Sequence, residues 1–157
     1  WLCPTLSISQ YMISFGRERG IPEEPMAKAE ERRDIRLSRV RRAYEAGVRI
    51  FMGTDSCNTM PFGRHAWELE LMVDQLGMTA REAIVASTGA AAQALDISSL
   101  TGSLQRGKAA DLLVLDSDPL QDVRVLQDPT RFRAVIREGV PYVDRGLFQF
   151  EIGLMQS

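Results

Sequence analysis

Residues 27 to 46 carry a helical pattern that stops at Gly47 and passes at once into the apolar run Val48-Arg49-Ile50-Phe51-Met52. This handover constrains the fold more than any other feature. A second apolar, β-prone run, Trp1 to Ile8, lies upstream of the helix and is broken only by Pro4, so it reads as a short buried strand leading into a loop. Two strands joined through a helix run parallel, and parallel strands are covered on both faces. Within the helix, Leu37, Val40, Ala43 and Tyr44 form one stripe. Arg32, Arg33, Arg36, Arg39, Arg41 and Arg42 are interleaved with Glu30, Glu31, Asp34 and Glu45, which predicts a solvated outer face and no phosphate site.

Downstream, Leu69, Met72, Val73 and Leu76 predict a helix over about 65 to 76, stopped by Gly77. Thr79-Ala80-Arg81-Glu82 has capping-box spacing, and Thr88-Gly89 predicts a break before a short helix to about Leu95. From Gly102 the texture turns to short β-like runs: Leu112 to Leu115, then Ala134-Val135-Ile136 and Val140 to Val143 around Glu138-Gly139. These predict a strand and a hairpin. The order is strand, helix, strand, helices, then a small β region, without an internal repeat.

Composition narrows the function classes. The 157 residues are 45% hydrophobic and 25% charged, enough for one domain core and too few for two full ones. With 19 Lys+Arg against 21 Asp+Glu the formal charge is −2, which argues against nucleic acid as a partner. No apolar run is long enough for a membrane span, and Trp1-Leu2-Cys3-Pro4 lacks the layout of a signal peptide, so the expectation is a cytoplasmic protein. Cys3 and Cys57 read as thiols rather than a disulfide framework. The sequence also opens on Trp1 and runs straight into an apolar segment, as an internal piece of a longer chain does.

Several motifs compete for chemistry. Gly102-Ser-Leu-Gln-Arg-Gly107-Lys108 fits seven positions of a phosphate-binding loop, but Ala109 replaces the magnesium-binding hydroxyl and a strand pattern follows where a helix is required. Cys57 and His65, the single histidine, are close enough in sequence to form a thiolate and base with Asn58 or Asp55 as orienter, yet nothing in the spacing fixes them together. A mononuclear metal site from Asp55, Cys57 and His65 has permitted ligand types but matches no compact ligand pattern. Asp55 stands apart because it follows directly on an apolar strand that follows a helix, the position where parallel α/β barrels assemble chemistry. Its competing role is a helix or turn cap for the loop to Asn58, and local sequence leaves both open.

Taken in order, several segments resemble the C-terminal part of the amidohydrolase superfamily, in its imidazolonepropionase-like and prolidase-like branch. The resemblance is carried by Pro4-Thr5-Leu6, by Gly47 through Gly53-Thr54-Asp55, and by His65 with Glu68-Leu69-Glu70-Leu71-Met72 and Gly77-Met78-Thr79. It continues through Glu82-Ala83, Thr88, Ala91 and Ala94-Leu95, then Gly102-Ser-Leu and Gly107-Lys108-Ala109-Ala110-Asp111-Leu112. Asp116, Asp118-Pro119-Leu120 and Val135-Ile136-Arg137-Glu138-Gly139 complete it.

The resemblance implies an α/β chain that forms the C-terminal part of a (β/α)8 TIM barrel plus strands of a small β-sandwich. Trp1 to Leu6 would be barrel strand seven and Val48 to Met52 strand eight. Residues 1–100 would belong to the barrel and 101–157 to the sandwich strands and a C-terminal tail. The implied function is metal-dependent hydrolysis of a carbon–nitrogen bond in a small amide or peptide-like substrate. Asp55 would be the strand-eight aspartate, which ligates a divalent metal, zinc in type, and carries a proton from the attacking water to the leaving amine. His65 would line the substrate pocket, with helix-start capping as its alternative. The remaining ligands of the implied binuclear site, a His-X-His pair, a lysine and two further histidines, have no counterpart in this sequence. A fragment without them is expected to be inactive, and as a partial barrel its uncovered edges invite association, including with its own copies. A competing class is a non-catalytic α/β assembly or binding domain in which Asp55 caps a turn.

Overall fold

The computed structural model describes residues 1–57 and 60–147. Five helices come first: α1 (Leu6–Phe15), α2 (Glu23–Glu45), α3 (Trp67–Leu76), α4 (Ala80–Ser87) and α5 (Gly89–Ala94). An antiparallel sheet of β1 (Leu112–Leu115), β2 (Phe132–Arg137) and β3 (Val140–Asp144) follows, in the order β1-β2-β3, with 3-10 turns at Val123–Gln127 and Pro129–Arg131 before β2. The chain is therefore α/β, and the C-terminal tail 148–157 lies outside the described residues.

The two expected strands are reduced to one parallel bridge, Leu2 to Ile50. Leu2 N–H donates to Arg49 O at 2.9 Å and Phe51 N–H donates to Leu2 O at 3.0 Å, so the parallel sense holds while the ladder is one residue long. Side chains reinforce it: the Arg49 guanidinium stacks 3.6 Å over the Trp1 ring, and Trp1 meets Phe51 edge-on with centroids 6.3 Å apart. On the other side Met52 N–H donates to Ala86 O, which ties this segment to α4.

The expected strand over Trp1 to Ile8 is a correction, because residues 6 onward are helical. Thr5 adopts the left-handed conformation (φ 45°) and its side chain makes no capping bond, so the chain turns sharply after the buried Pro4 and α1 begins at Leu6. A distant carboxylate, described below, supplies the cap. The arginine-rich face of α2 is solvated as expected at Arg32, Arg33, Arg39, Arg41 and Arg42, with the exposed Arg41 donating to Gln75 O; the correction falls on Arg36, which is half-buried and holds the Pro4-Thr5 turn.

Elsewhere the local signals hold. Thr79 and Glu82 form the full capping box at the start of α4. Gly77 ends α3 in the left-handed conformation (φ 76°), the role for which glycine is suited. The main core gathers Leu6 of α1, Val40 of α2, Ile50, Leu69, Met72 and Leu76 of α3, Met78, Ala83 and Ala86 of α4, and Val123 of the first 3-10 turn. Ile8, Tyr11 and Met60 form a second cluster flanked by Phe15 and Trp67. The resemblance to a phosphate-binding loop dissolves: Gly102 (φ 89°) packs on Ala92, and Lys108 Nζ donates to Ser103 Oγ ahead of β1.

Candidate active site

The loop that leaves the Val48–Met52 segment is shaped by small polar groups. Ser56 N–H donates to Thr54 Oγ1 at 3.3 Å, and the two hydroxyls lie 2.8 Å apart. The turn is thus closed by Thr54. Asp55 sits at its apex with φ 55°, a conformation that Asp tolerates better than most residues. Its side chain is exposed and, among the described residues, has no hydrogen-bond or ion-pair partner. Asn58, the far end of the alternative turn cap, lies outside the described residues.

Cys3 lies on the neighbouring segment, half-buried, with its sulfur so close to Gly53 that a Cβ there would fall 2.6 Å from it. Burial raises the thiol's pKa first, and the negative charges of Glu68 and Asp55 raise it further, against a backbone hydrogen bond from Thr5 that lowers it. Both carboxylates therefore act on one sulfur, and Cys3 is held as a thiol rather than a nucleophilic thiolate.

Among the described residues Glu68 is the buried carboxyl: it lies on α3 with no exposed surface. Its Oε1 accepts Leu6 N–H at 2.7 Å and its Oε2 accepts Ser7 N–H at 2.7 Å, which caps α1 from 62 and 61 residues away. A carboxylate at a helix N-terminus meets unsatisfied amides and the positive end of the dipole. Burial nevertheless wins and raises the Glu68 pKa, opposed by hydrogen bonds from Ser7 and Leu6 and by the Arg36 charge. Ser7 Oγ itself is buried with no hydrogen bond of acceptable geometry. Sequence reading left Glu68 without a role, although it sits four residues before Met72, on the apolar stripe of its helix, where a charge needs a partner.

The residues singled out from sequence do not converge. His65 is exposed; the helix start beside it is Ala66 with no side-chain cap, so the capping role for His65 is absent. A cleft of about 390 Å³ beside this loop is lined by Phe15, Gly63, Arg64, Ala66, Trp67 and Gln127, and neither Asp55 nor His65 lines it. Asp111, from the motif that precedes β1, accepts from Thr101 Oγ1 and Glu138 N–H at the edge of the sheet. Among the described residues no three His, Cys, Asp or Glu side chains are grouped to hold a metal ion. The described residues therefore do not form a metal centre by themselves, and Asp55 is a single candidate ligand.

Residues 5–141 match the family model described as the Amidohydrolase family. The chain belongs to this family. Ochratoxinase of Aspergillus niger is 35% identical over 144 residues, which are 91% of this chain and 29% of that protein. Its crystal structure shares the fold with a TM-score of 0.72 at 34% identity, over 90% of this chain and 32% of that one. Imidazolonepropionase of Geobacillus kaustophilus is 32% identical over 108 residues, 68% of this chain and 25% of that protein. A crystal structure of a Xaa-Pro dipeptidase with bound methionine in its active site gives a TM-score of 0.75 at 32% identity, over 89% of this chain and 34% of that one. The amidohydrolase chain described here spans less than a third of the length of the curated relatives it matches. Among the described residues no helix is long and apolar enough to cross a membrane.

Proposed function

We propose that this chain is the C-terminal part of a metal-dependent amidohydrolase, built on barrel strands seven and eight, that cleaves a carbon–nitrogen bond in a small amide, cyclic amide or dipeptide-like substrate. Asp55 is its catalytic carboxylate. One observation carries the reading: at the end of the segment bridged in parallel to Leu2, the turn is closed by Thr54 and the Asp55 carboxylate is left exposed with no hydrogen-bond partner among the described residues. An exposed carboxylate at that strand end is available to bind a cation and to exchange a proton.

A divalent metal of zinc type, when bound, brings the pKa of water to about 7. Asp55 would supply one ligand to such a metal, and its carboxylate would take the proton of the attacking water and return it to the leaving nitrogen. Proton transfer of this kind is worth about 10² to 10⁴ in rate. His65, exposed at the other end of the same loop, faces the substrate in this reading. A dipeptide-like substrate is supported by the dipeptidase among the solved neighbours. The other metal ligands come from outside these 157 residues, so the chain alone is inactive. Asp55→Asn in the full-length enzyme tests the proposal: lost turnover with an intact fold supports it, and retained turnover removes Asp55 from the reaction.

A further inference from the structure

The turn between Pro4 and Ser7 is gripped from two sides by opposite charges. From α2, Arg36 Nη2 donates to Pro4 O at 2.6 Å, to Thr5 O at 3.0 Å and to Thr5 Oγ1 at 2.9 Å, and Arg36 Nη1 donates to Ser9 Oγ. From α3, Glu68 accepts the N–H groups of Leu6 and Ser7, both at 2.7 Å. A guanidinium holds the carbonyls and a carboxylate holds the amides of consecutive residues, with the left-handed Thr5 between them.

A helix cap alone does not call for this arrangement. A local Ser, Asp or Asn at the N-cap would satisfy α1 without burying an ion, and the chain instead places a fully buried carboxylate there from another helix. What the arrangement fixes is the end of the first parallel segment relative to α2 and α3. That segment touches the site directly: Leu2 bridges Ile50, and Cys3 Sγ lies against Gly53, two residues before Asp55. The charges of Glu68 and Asp55 are both felt at the Cys3 thiol of that contact.

We infer that Glu68 and Arg36 are positioning residues for Asp55, holding the Pro4–Ser7 turn and, through the Cys3–Gly53 contact, setting where the Asp55 carboxylate stands. The inference rests on the catalytic reading of Asp55. A displacement of about 1 Å at a reacting group is enough to cost on the order of 100-fold in rate. Loss of positioning acts on the transition state more than on substrate binding, so it separates kcat from KM.

The experiment is Glu68→Gln in the full-length, metal-loaded enzyme, with kcat, KM, metal content and amide exchange of Leu6 and Ser7 measured together. Gln keeps the shape but sets an NH2 donor against one backbone N–H. The expected result is a fall in kcat of tenfold or more, KM within about threefold, metal content retained, and faster exchange at Leu6 and Ser7. Arg36→Lys, which keeps the charge but loses the fork that reaches two carbonyls and a hydroxyl, should move kcat in the same direction and serves where Glu68→Gln folds poorly. Faster exchange with kcat unchanged in these variants would overturn the inference and leave a plain helix cap. Failure of the underlying reading is distinguishable: Asp55→Asn would then retain turnover, whatever the Leu6 and Ser7 amides do.

Discussion

Gly53 has no room for a side chain because Cys3 occupies it: a Cβ at position 53 would stand 2.6 Å from Cys3 Sγ. The backbone leading to Asp55 is therefore in direct contact with the segment that Glu68 and Arg36 hold. Gly53→Ala should destabilise the protein by about 1 to 3 kcal/mol, the usual cost of overpacking a fitted contact. Cys3→Ala in the same chain should recover much of that loss, because it removes the obstructing sulfur. Denaturant melts of the two single variants and the double variant measure the coupling, and strictly additive losses would contradict the contact.

The capping box of α4 makes an acid-side prediction. Hydrogen bonds from the Thr79 hydroxyl and backbone N–H hold the Glu82 carboxyl below the usual carboxylate range, with the Tyr44 hydroxyl adding to them. A carboxyl whose folded pKa is depressed contributes stability that is present above its unfolded value, about 4.3, and lost as pH falls through the lower folded value. Glu82→Gln should therefore be less stable than the parent at pH 6, with the difference shrinking on acidification below about pH 4. Thr79→Ala should cost about 1 kcal/mol at neutral pH. Melting curves from pH 3 to 7 check both, and a pH-independent difference for Glu82→Gln would count against the box.

Arg124 ties the 3-10 turn between β1 and β2 to α3. Its guanidinium reaches Glu70 at 2.9 Å, Asp74 at 2.6 Å and Asp122 at 3.3 Å, and these hydrogen bonds and charges raise its pKa. The side chain is about half exposed, so screening keeps the network modest. Arg124→Ala should cost no more than about 1 kcal/mol in low salt and less in 0.5 M salt, since the Debye length falls below about 5 Å there. A loss that does not shrink with salt would mean that packing of the Arg124 stem, not its charge, docks the turn.

Where a signal is local, the sequence discloses it. The stripe of α3, the stop at Gly77, the box at Thr79 and the break at Thr88-Gly89 all act within a turn or two of chain, and each appears in the fold. The start of α1 is illegible for the opposite reason. Thr5 caps nothing, and the group that satisfies Leu6 and Ser7 is Glu68, more than 60 residues away. Leu6-Ser7-Ile8 thus reads as β-prone until that partner is known. The strand-length runs at 1–6 and 48–52 show their parallel sense but, among the described residues, only the one backbone bridge at Leu2 and Ile50. Asp55 was legible as a candidate by position. Glu68 was visible only as a charge on an apolar stripe, and its meaning depended on α1.

The central claim is that Asp55 takes and returns a proton during cleavage of a carbon–nitrogen bond, and turnover of Asp55→Asn in the full-length enzyme tests it most directly. The amide keeps the size and one neutral oxygen but cannot carry the proton, so turnover should fall by at least about 10² to 10⁴, with the melting temperature little changed. A turn cap would behave differently, because Asn caps nearly as well as Asp and turnover would survive. Near-normal turnover of Asp55→Asn with its metal bound would contradict the account.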